Sequence, residues 1–96
     1  MQQNEFIRIR AIIRGRVQGV GFRRFVYRQA QSMAIGGWVR NNPEGSVELE
    51  AVGEASAIEI FMREIKKGPF LSRVDEVEQI QKEPLAHHPK VLFIIR

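Results

Sequence analysis

The fold is decided by residues 15–23, GRVQGVGFR, because two different periodicities meet in this stretch. Before it, residues 5–14 alternate between apolar and polar side chains, which is typical of a half-buried strand. After it, apolar side chains recur every three or four residues from Phe22 to Met33, the spacing of an amphipathic helix. The sequence therefore predicts a strand, a glycine-rich turn and a helix that ends near residues 34–37.

The rest of the chain supplies the other elements of a small α+β fold. Its apolar patterns predict a second helix at residues 54–67 and four more strands, at residues 37–41, 46–52, 74–80 and 91–95. Two amphipathic helices need a sheet face to cover, so the order βαββαβ with an extra terminal strand predicts a ferredoxin-like sandwich. We expect an antiparallel sheet of four or five strands with both helices on one face, in a single domain spanning residues 1–96.

Composition narrows the class of protein. The chain contains no cysteine, which excludes disulfide frameworks and thiolate metal sites. Its longest unbroken apolar run, residues 91–95, is far too short to cross a membrane. The first five residues, MQQNE, lack the basic-then-apolar layout of a signal peptide. We therefore expect a cytoplasmic protein.

Positive charge is concentrated in the first part of the chain. Residues 1–40 carry eight arginines, no lysine and one acid, a net charge of +7, whereas residues 41–96 carry seven basic and ten acidic side chains, a net charge of −3. The rigid fork of donors on arginine suits phosphate and carboxylate. The amino-terminal part is therefore suited to an anion, with a solvated basic surface as the less favoured alternative.

The glycine-rich turn has the chemistry of an oxyanion cradle. Its three glycines allow backbone conformations in which successive N–H groups converge on one anion. The helix that begins near Phe22 adds unpaired N–H groups and its positive dipole end, and Arg23 can add a bidentate contact. The turn lacks the Gly-Lys-Ser/Thr ending of a nucleotide P-loop and the last glycine of a dinucleotide fingerprint. By itself, it is also compatible with a tight strand-to-helix connection.

The predicted topology brings a second polar residue to this turn. The first strand, first helix and second strand form a crossover, so the two strands point the same way and the third strand fits between them, antiparallel to each. Their carboxyl ends then lie at the same end of the sheet, where the glycine turn follows one strand and Asn41 ends the other. Arg23 and Asn41 are 18 positions apart, yet we expect them to lie close together.

Two motifs in these segments resemble the signatures of the acylphosphatase family. The first is GRVQGVGFR at residues 15–23, and the second is GWVRNNPEGSVE at residues 37–48. Gly68-Pro69 followed by Arg73-Val74, and FIIR at residues 93–96, are also similar to the family. Both motifs are long and occur in the family's order and spacing, and the resemblance covers essentially the whole chain.

The resemblance implies hydrolysis of acyl phosphates to a carboxylate and inorganic phosphate on a ferredoxin-like sandwich. It implies that Arg23 binds the phosphoryl group and that Asn41 orients the attacking water, without a metal, a cofactor or a covalent phosphoenzyme. The main-chain amides that it assigns to the phosphate are those of Gly15, Arg16, Val17, Gln18, Gly19, Val20 and Gly21.

The chemistry of the reaction agrees with this set of residues. A carboxyl-phosphate anhydride already has a good leaving group, so the protein has to position water and balance charge on the phosphoryl oxygens. Asn41 cannot act as a base, because an amide has no useful pKa, and we expect the phosphate itself to take the proton from the water. The expected partners are a small-molecule acyl phosphate and inorganic phosphate, with no nucleic acid and no membrane. The expected oligomeric state is a monomer.

Some neighbouring residues have simpler interpretations. Arg16 and Arg24 are further candidates for substrate contact, but neither has to point inwards. The adjacent histidines, His87 and His88, lack a usual metal-ligand spacing and are expected in a solvated loop. Ala34 stands where the family pattern has the glycine that ends the first helix, so a left-handed cap there would be strained.

The second motif also contains residues outside the expected chemistry. Arg40 alternates with Asn41 along a strand, so we expect it to face the other way and to be solvated. Trp38 is expected to be a core anchor.

Two other functions remain open from the sequence. RNA-recognition modules share the βαββαβ order and this chain is basic, but its predicted third strand, residues 46–52, is acidic and has no aromatic side chain to stack a base. A non-catalytic binding or regulatory module would keep the fold without the chemistry. The acylphosphatase-like domain of larger hydrogenase-maturation proteins is an example of the motif inside another protein.

Overall fold

The computed structural model describes residues 5–96, which form one sheet and two helices. In chain order the elements are β1 (Phe6–Arg16), α1 (Phe22–Ser32), β2 (Gly36–Asn41), β3 (Val47–Glu54), α2 (Ala55–Lys67), β4 (Arg73–Leu85) and β5 (Phe93–Ile95). The stretch used to predict the lack of a signal peptide falls largely on residues 1–4, outside the described residues. Neither helix of residues 5–96 is long and apolar enough to span a membrane.

The strands lie in the order β4-β1-β3-β2-β5. β3 lies between β1 and β2 and is antiparallel to both, and β4 pairs antiparallel with β1 at one edge. These pairings confirm the predicted ferredoxin-like α+β arrangement. The sheet is not wholly antiparallel, because β5 pairs parallel with β2 at the other edge. The carboxyl ends of β1 and β2 consequently lie at the same end of the sheet.

The hydrophobic core lies between the helices and one face of the sheet. Alternate residues of the strands and one stripe of each helix are buried there, including Ile9, Ile13, Val39, Leu49, Phe22, Val26, Phe61 and Ile65. Burial of an apolar side chain of this size stabilises the fold by about 1.5–3 kcal/mol. Both helices therefore cover the same face, as predicted.

The other face of the sheet is a layer of paired charges. The pairs are Arg8–Glu83 at 2.8 Å, Arg10–Glu50 at 3.3 Å, Arg14–Glu76 at 3.1 Å, Arg14–Glu78 at 2.9 Å and Arg40–Glu48 at 3.1 Å. Partly exposed pairs of this kind each contribute about 0–1 kcal/mol to stability. Their consequence for function is that half of the arginines of residues 1–40 are neutralised within the sheet.

Trp38 lies on this charged face, so the prediction of a core anchor is wrong. Its ring is half-buried beneath the guanidinium groups of Arg10, Arg40 and Arg96, which lie 5.2, 5.0 and 4.6 Å from the ring centroid. The reason is the alternation of β2: Val39 points into the core, so its two neighbours point away from it. Arg40 is on the predicted face but is ion-paired and stacked, not simply solvated.

Ala34 follows α1 in a left-handed conformation. Its φ is 54°, and no other non-glycine residue among residues 5–96 has a positive φ. The N–H of Ile35 donates to the carbonyl oxygen of Ala30 at 2.9 Å, and the N–H of Ala34 donates to that of Gln31 at 3.4 Å. These are the two bonds of a Schellman motif. The helix therefore ends as a glycine-capped helix does, with alanine in the place of glycine.

Replacing Ala34 by glycine is expected to raise the free energy of unfolding by about 1 kcal/mol. An L-residue in this conformation costs about 1–2 kcal/mol, part of which is offset by the greater freedom of glycine in the unfolded chain. Urea denaturation followed by circular dichroism measures the change. Ala30→Gly is the matched control inside the helix and is expected to lower stability by about 1 kcal/mol or more. A loss of stability in Ala34→Gly would contradict the assignment of strain.

Candidate active site

A cleft of about 430 Å³ opens at the end of the sheet where β1 and β2 finish. Arg23, in the first turn of α1, and Asn41, the last residue of β2, both line this cleft. Its other lining residues are Val17, Gly19, Gly21, Phe22, Arg24 and Ile95. The fold therefore places in one cleft the two side chains that were expected to lie close together.

The loop of residues 17–21 forms one wall of the cleft. Gly19 and Gly21 have φ values of 74° and 77°, in the left-handed region that favours glycine. A Cβ atom at either position would meet nothing within 4 Å, so glycine is required for the backbone conformation and not for space. Within residues 5–96, no main-chain N–H of this loop donates to a main-chain oxygen. Such unpaired N–H groups can hold an anion.

The start of α1 adds further donors to the same wall. The helix begins at Phe22 directly after Gly21, which provides no side-chain cap, and the first turn carries no acidic residue. The first N–H with a helical partner is that of Phe25, which donates to the carbonyl oxygen of Gly21 at 3.1 Å. The earlier N–H groups and the positive end of the helix dipole therefore favour an anion in the cleft.

The loop that lines the cleft comprises residues 17–21, whereas the resemblance to the family assigns the amides of residues 15–21 to the phosphate. Gly15 and Arg16 belong to β1 and pair with β4, outside the cleft. Gln18 and Val20 are absent from the lining as well, and Val20 packs against the core. Residues 17–21 therefore present Val17, Gly19 and Gly21 to the cleft.

Arg23 is held in place by a main-chain oxygen. Its Nη1 donates to the main-chain oxygen of Arg96 at 3.2 Å, and it has no aspartate or glutamate partner among residues 5–96. A guanidinium carries five donors in a planar fork, so a single bond of this kind leaves most of them available to an anion. No pattern in the sequence predicts this contact, because Arg23 and Arg96 are 73 positions apart and only the fold brings them together.

Asn41 presents an unoccupied carboxamide. It is exposed at the end of β2, and its side chain makes no hydrogen bond with any other described residue. The group therefore retains two donors and one acceptor oriented by a strand end. It can hold a water molecule at the mouth of the cleft but cannot take a proton from it.

Gln18 joins the glycine loop to the turn that follows Asn41. Its Nε2 donates to the carbonyl oxygens of Asn42, at 2.8 Å, and Ser46, at 2.9 Å. The same turn is closed by the N–H of Asn42, which donates to the carbonyl oxygen of Ser46 at 2.8 Å. The wall that carries the N–H groups and the strand end that carries the carboxamide are therefore linked through one side chain. Sequence reasoning missed this role.

Side chains of the turn hold it further. The amide of Asn42 donates to the hydroxyl of Ser46 at 3.0 Å and to the carboxylate of Glu48 at 3.2 Å. The hydroxyl of Ser46 donates to Glu44, and this bond lowers the pKa of the Glu44 carboxyl below its ordinary value. The contact therefore stabilises the turn above the usual pKa of a glutamate and is lost as the pH falls through the lowered value.

Replacing Gln18 by methionine is expected to lower the free energy of unfolding by about 1–3 kcal/mol. The change keeps the size of the side chain and removes two hydrogen bonds of about 0.5–1.5 kcal/mol each. Urea denaturation measures the loss. Gln31→Met is the matched control, since Gln31 donates to the Tyr27 hydroxyl on an exposed helix surface, and its effect should stay below about 0.5 kcal/mol. Equal effects of the two changes would contradict a linking role for Gln18.

The histidines lie away from the cleft. Both are exposed, as predicted, and the ring of His88 lies edge-on to Phe6 with the centroids 5.0 Å apart. Among residues 5–96, no group of three or more His, Cys, Asp or Glu side chains is arranged to hold a metal ion.

Comparison with known proteins identifies the family. The sequence profile of the acylphosphatase family matches residues 9–93. The chain is 44% identical over 82 residues to the acylphosphatase of Bacillus pumilus, which covers 85% of this chain and 91% of that protein. Its structure is similar to the crystal structure of acylphosphatase from Bacillus subtilis, with a TM-score of 0.85 and 36% identity over 94% of this chain and 98% of that one.

A larger protein contains a similar domain. The structure of full-length HypF in a phosphate- and nucleotide-bound form matches 99% of this chain with a TM-score of 0.80 and 36% identity, but the match covers only 12% of HypF. The stand-alone relatives, by contrast, match along most of their length. Since the family profile also spans most of the sequence, this chain belongs to the acylphosphatase family, whose members hydrolyse acyl phosphates.

Proposed function

We propose that this protein hydrolyses acyl phosphates by direct attack of water on phosphorus, with Arg23, Asn41 and the amides of residues 17–21 as its catalytic groups. The observation that carries the proposal is the lining of one cleft. Within the described residues, the cleft combines an arginine without an aspartate or glutamate partner, a carboxamide without a hydrogen bond and a run of unpaired main-chain N–H groups. This is a site for a tetrahedral anion and a water molecule.

The phosphoryl group is bound by Arg23, the loop amides and the first turn of α1. A charge-assisted hydrogen bond to a guanidinium contributes about 1.5–3 kcal/mol. A donor aimed at oxygens on which charge develops contributes about 3–4 kcal/mol to the transition state. The site therefore stabilises the negative charge of the phosphoryl group during its transfer. In this mechanism no side chain forms a covalent bond to phosphorus.

Asn41 orients the water for in-line attack. The water oxygen forms a bond to phosphorus, the bond between phosphorus and the carboxyl oxygen breaks, and the carboxylate leaves with that electron pair. None of the residues that line the cleft carries a carboxylate or an imidazole. The proton of the water therefore passes to a phosphoryl oxygen of the substrate, and the products are a carboxylate and inorganic phosphate.

Hydrolysis of acetyl phosphate in ¹⁸O-labelled water tests this mechanism. We expect release of inorganic phosphate well above the spontaneous rate, with the label in phosphate and none in acetate. Label in acetate would place the attack on the carbonyl carbon. A rapid-quench burst of acetate equal to the enzyme concentration would reveal a phosphoenzyme, and loss of activity with EDTA would reveal a required metal.

The proposal includes a monomeric, single-domain protein of the cytoplasm that binds no nucleic acid. The absence of nucleic-acid binding is supported by the face of the sheet opposite the helices. There, glutamates pair with the arginines and guanidinium groups cover Trp38. Sedimentation tests the oligomeric state, and titration with single-stranded RNA at physiological salt tests the nucleic-acid prediction.

The similarity to one domain of HypF favours a second candidate, a binding module that acts within a larger assembly. Absence of turnover above background, together with a failure to bind inorganic phosphate, would favour this module over the enzyme.

A further inference from the structure

Arg24 is a cationic side chain of the cleft without a protein partner among the described residues. It lines the cleft and is exposed, and it makes no hydrogen bond or ion pair with any of residues 5–96. By contrast, the strand arginines Arg8, Arg10, Arg14 and Arg40, on the face of the sheet opposite the helices, are each paired with a glutamate. The guanidinium of Arg24 is therefore not required by the fold and is available to a ligand.

The position of Arg24 suits a group other than the phosphoryl. Arg23 and Arg24 are consecutive residues of α1, so their Cα atoms are about 3.8 Å apart while their side chains leave the helix about 100° apart. The phosphoryl site already has Arg23, the loop amides and the helix dipole. A second cation that diverges from the first in the same cleft can bind a second anion a few atoms away.

The remaining lining indicates which apolar surface the acyl part can contact. Val17 and Phe22 are each only 1% exposed, so they offer little surface to a ligand. Ile95, 45% exposed, is the accessible apolar side chain of the lining. The cleft therefore offers a small apolar contact and a cation, which suits a short aliphatic chain with a charged end.

We propose that Arg24 binds a second anionic group on the acyl part of the substrate, so that the protein prefers acyl phosphates of short acids that carry a further carboxylate. The inference rests on the proposed function, since Arg23 and the loop would hold the phosphoryl end. Arg24 thus acts on specificity, by contact with the distal carboxylate.

Binding of two non-hydrolysable phosphonates tests the role of Arg24 independently of turnover. Methylphosphonate carries the phosphoryl mimic alone, and 3-phosphonopropionate carries the same group with a carboxylate on a short chain. Calorimetric titration of the wild-type protein is expected to show about fivefold tighter binding of 3-phosphonopropionate than of methylphosphonate. An exposed charge-assisted contact contributes an effect of this size. The preference is expected to shrink in 1 M salt, where exposed charges are screened within about 3 Å.

Two variants separate contact from overall charge. Arg24→Gln is expected to bring the ratio of the two affinities to about one. Arg28→Gln removes the same charge one helical turn away, from an exposed arginine that has no partner among residues 5–96 and does not line the cleft. It is expected to keep the wild-type ratio. Arg24→Lys keeps the charge but loses the planar guanidinium donors, so it is expected to retain part of the preference for 3-phosphonopropionate.

Several results would overturn the inference. A wild-type ratio near one, an unchanged ratio in Arg24→Gln, or an equal loss in Arg28→Gln would each exclude a specific contact with Arg24. Acetyl phosphate hydrolysis is measured in parallel on the wild-type protein. Hydrolysis without a binding preference would reject this inference alone, and a binding preference without hydrolysis would reject the proposed function while the second anion site stands.

Discussion

Replacing Arg23 by alanine is expected to lower kcat/KM for acetyl phosphate by about 10²- to 10³-fold and to weaken the binding of inorganic phosphate. The guanidinium lines the same cleft as the glycine loop and has no aspartate or glutamate partner among the described residues, and removal of one donor to a charged transition state has an effect of this order. Steady-state kinetics and calorimetric titration with phosphate measure the two losses. The fold should be retained, because Arg23 makes one exposed hydrogen bond to the main chain.

The matched control for Arg23 lies on the same helix. Arg28→Ala removes an equal charge outside the cleft and is expected to change kcat/KM by less than about twofold. Arg23→Lys retains the charge without the planar fork and should recover only a small part of the activity. If Arg23→Ala and Arg28→Ala lowered activity equally, the loss would come from the overall positive field and not from a contact with the phosphoryl group.

Replacing Asn41 by alanine is expected to lower kcat by about 10²-fold while KM and phosphate affinity change by less than about threefold. Asn41 is assigned to the water and not to the phosphoryl oxygens, and misplacement of an attacking group costs a factor of this size. A loss confined to kcat indicates an interaction made in the transition state. Thermal unfolding should be unaffected, because the side chain is exposed and without a hydrogen bond within the described residues.

Asn41→Asp distinguishes orientation of water from binding of phosphate. The carboxylate keeps the shape and an acceptor for the water, but its charge repels the substrate, so KM is expected to rise together with a fall in kcat. Near-normal kcat in Asn41→Ala would mean that another group orients the water. Unchanged KM in Asn41→Asp would place the side chain farther from the phosphoryl group than the mechanism requires.

The order of the elements could be predicted because strands and helices buried on one side have apolar residues at regular spacing. Every second residue of β1 and one stripe of each helix face the core, and these are the apolar positions. β4 was predicted only for residues 74–80, although it extends from Arg73 to Leu85. Most of its side chains are exposed and it includes Pro84, which an edge strand tolerates, so its pairing with β1 depends on the main chain.

The position of Trp38 could have been predicted but was not. Strand alternation places Arg40 opposite Asn41, and the same alternation places Trp38, two residues before Arg40, on the face of Arg40. The usual burial of large aromatic side chains favoured the core instead.

The site itself was predicted in part. Arg23 lies in the helix that follows β1, and Asn41 ends β2. Both were predicted because these two strands finish at the same end of the sheet. The hydrogen bonds that hold the site were not predictable, since Gln18 donates to the carbonyl oxygens of the next turn and Arg23 donates to the main-chain oxygen of Arg96. Acceptors of this kind exist at every position, and only the folded path of the chain selects among them.

The stack of Arg96 on Trp38 provides an optical readout of the cleft. Trp38 is the only tryptophan in the sequence, its indole lies 4.6 Å from the Arg96 guanidinium, and the main-chain oxygen of Arg96 accepts a hydrogen bond from Arg23. An anion that draws Arg23 away from this oxygen alters the constraint on Arg96 and thereby the electric field at the indole. We therefore expect the intrinsic fluorescence of Trp38 to change when an anion displaces Arg23 from this oxygen in the unlabelled protein.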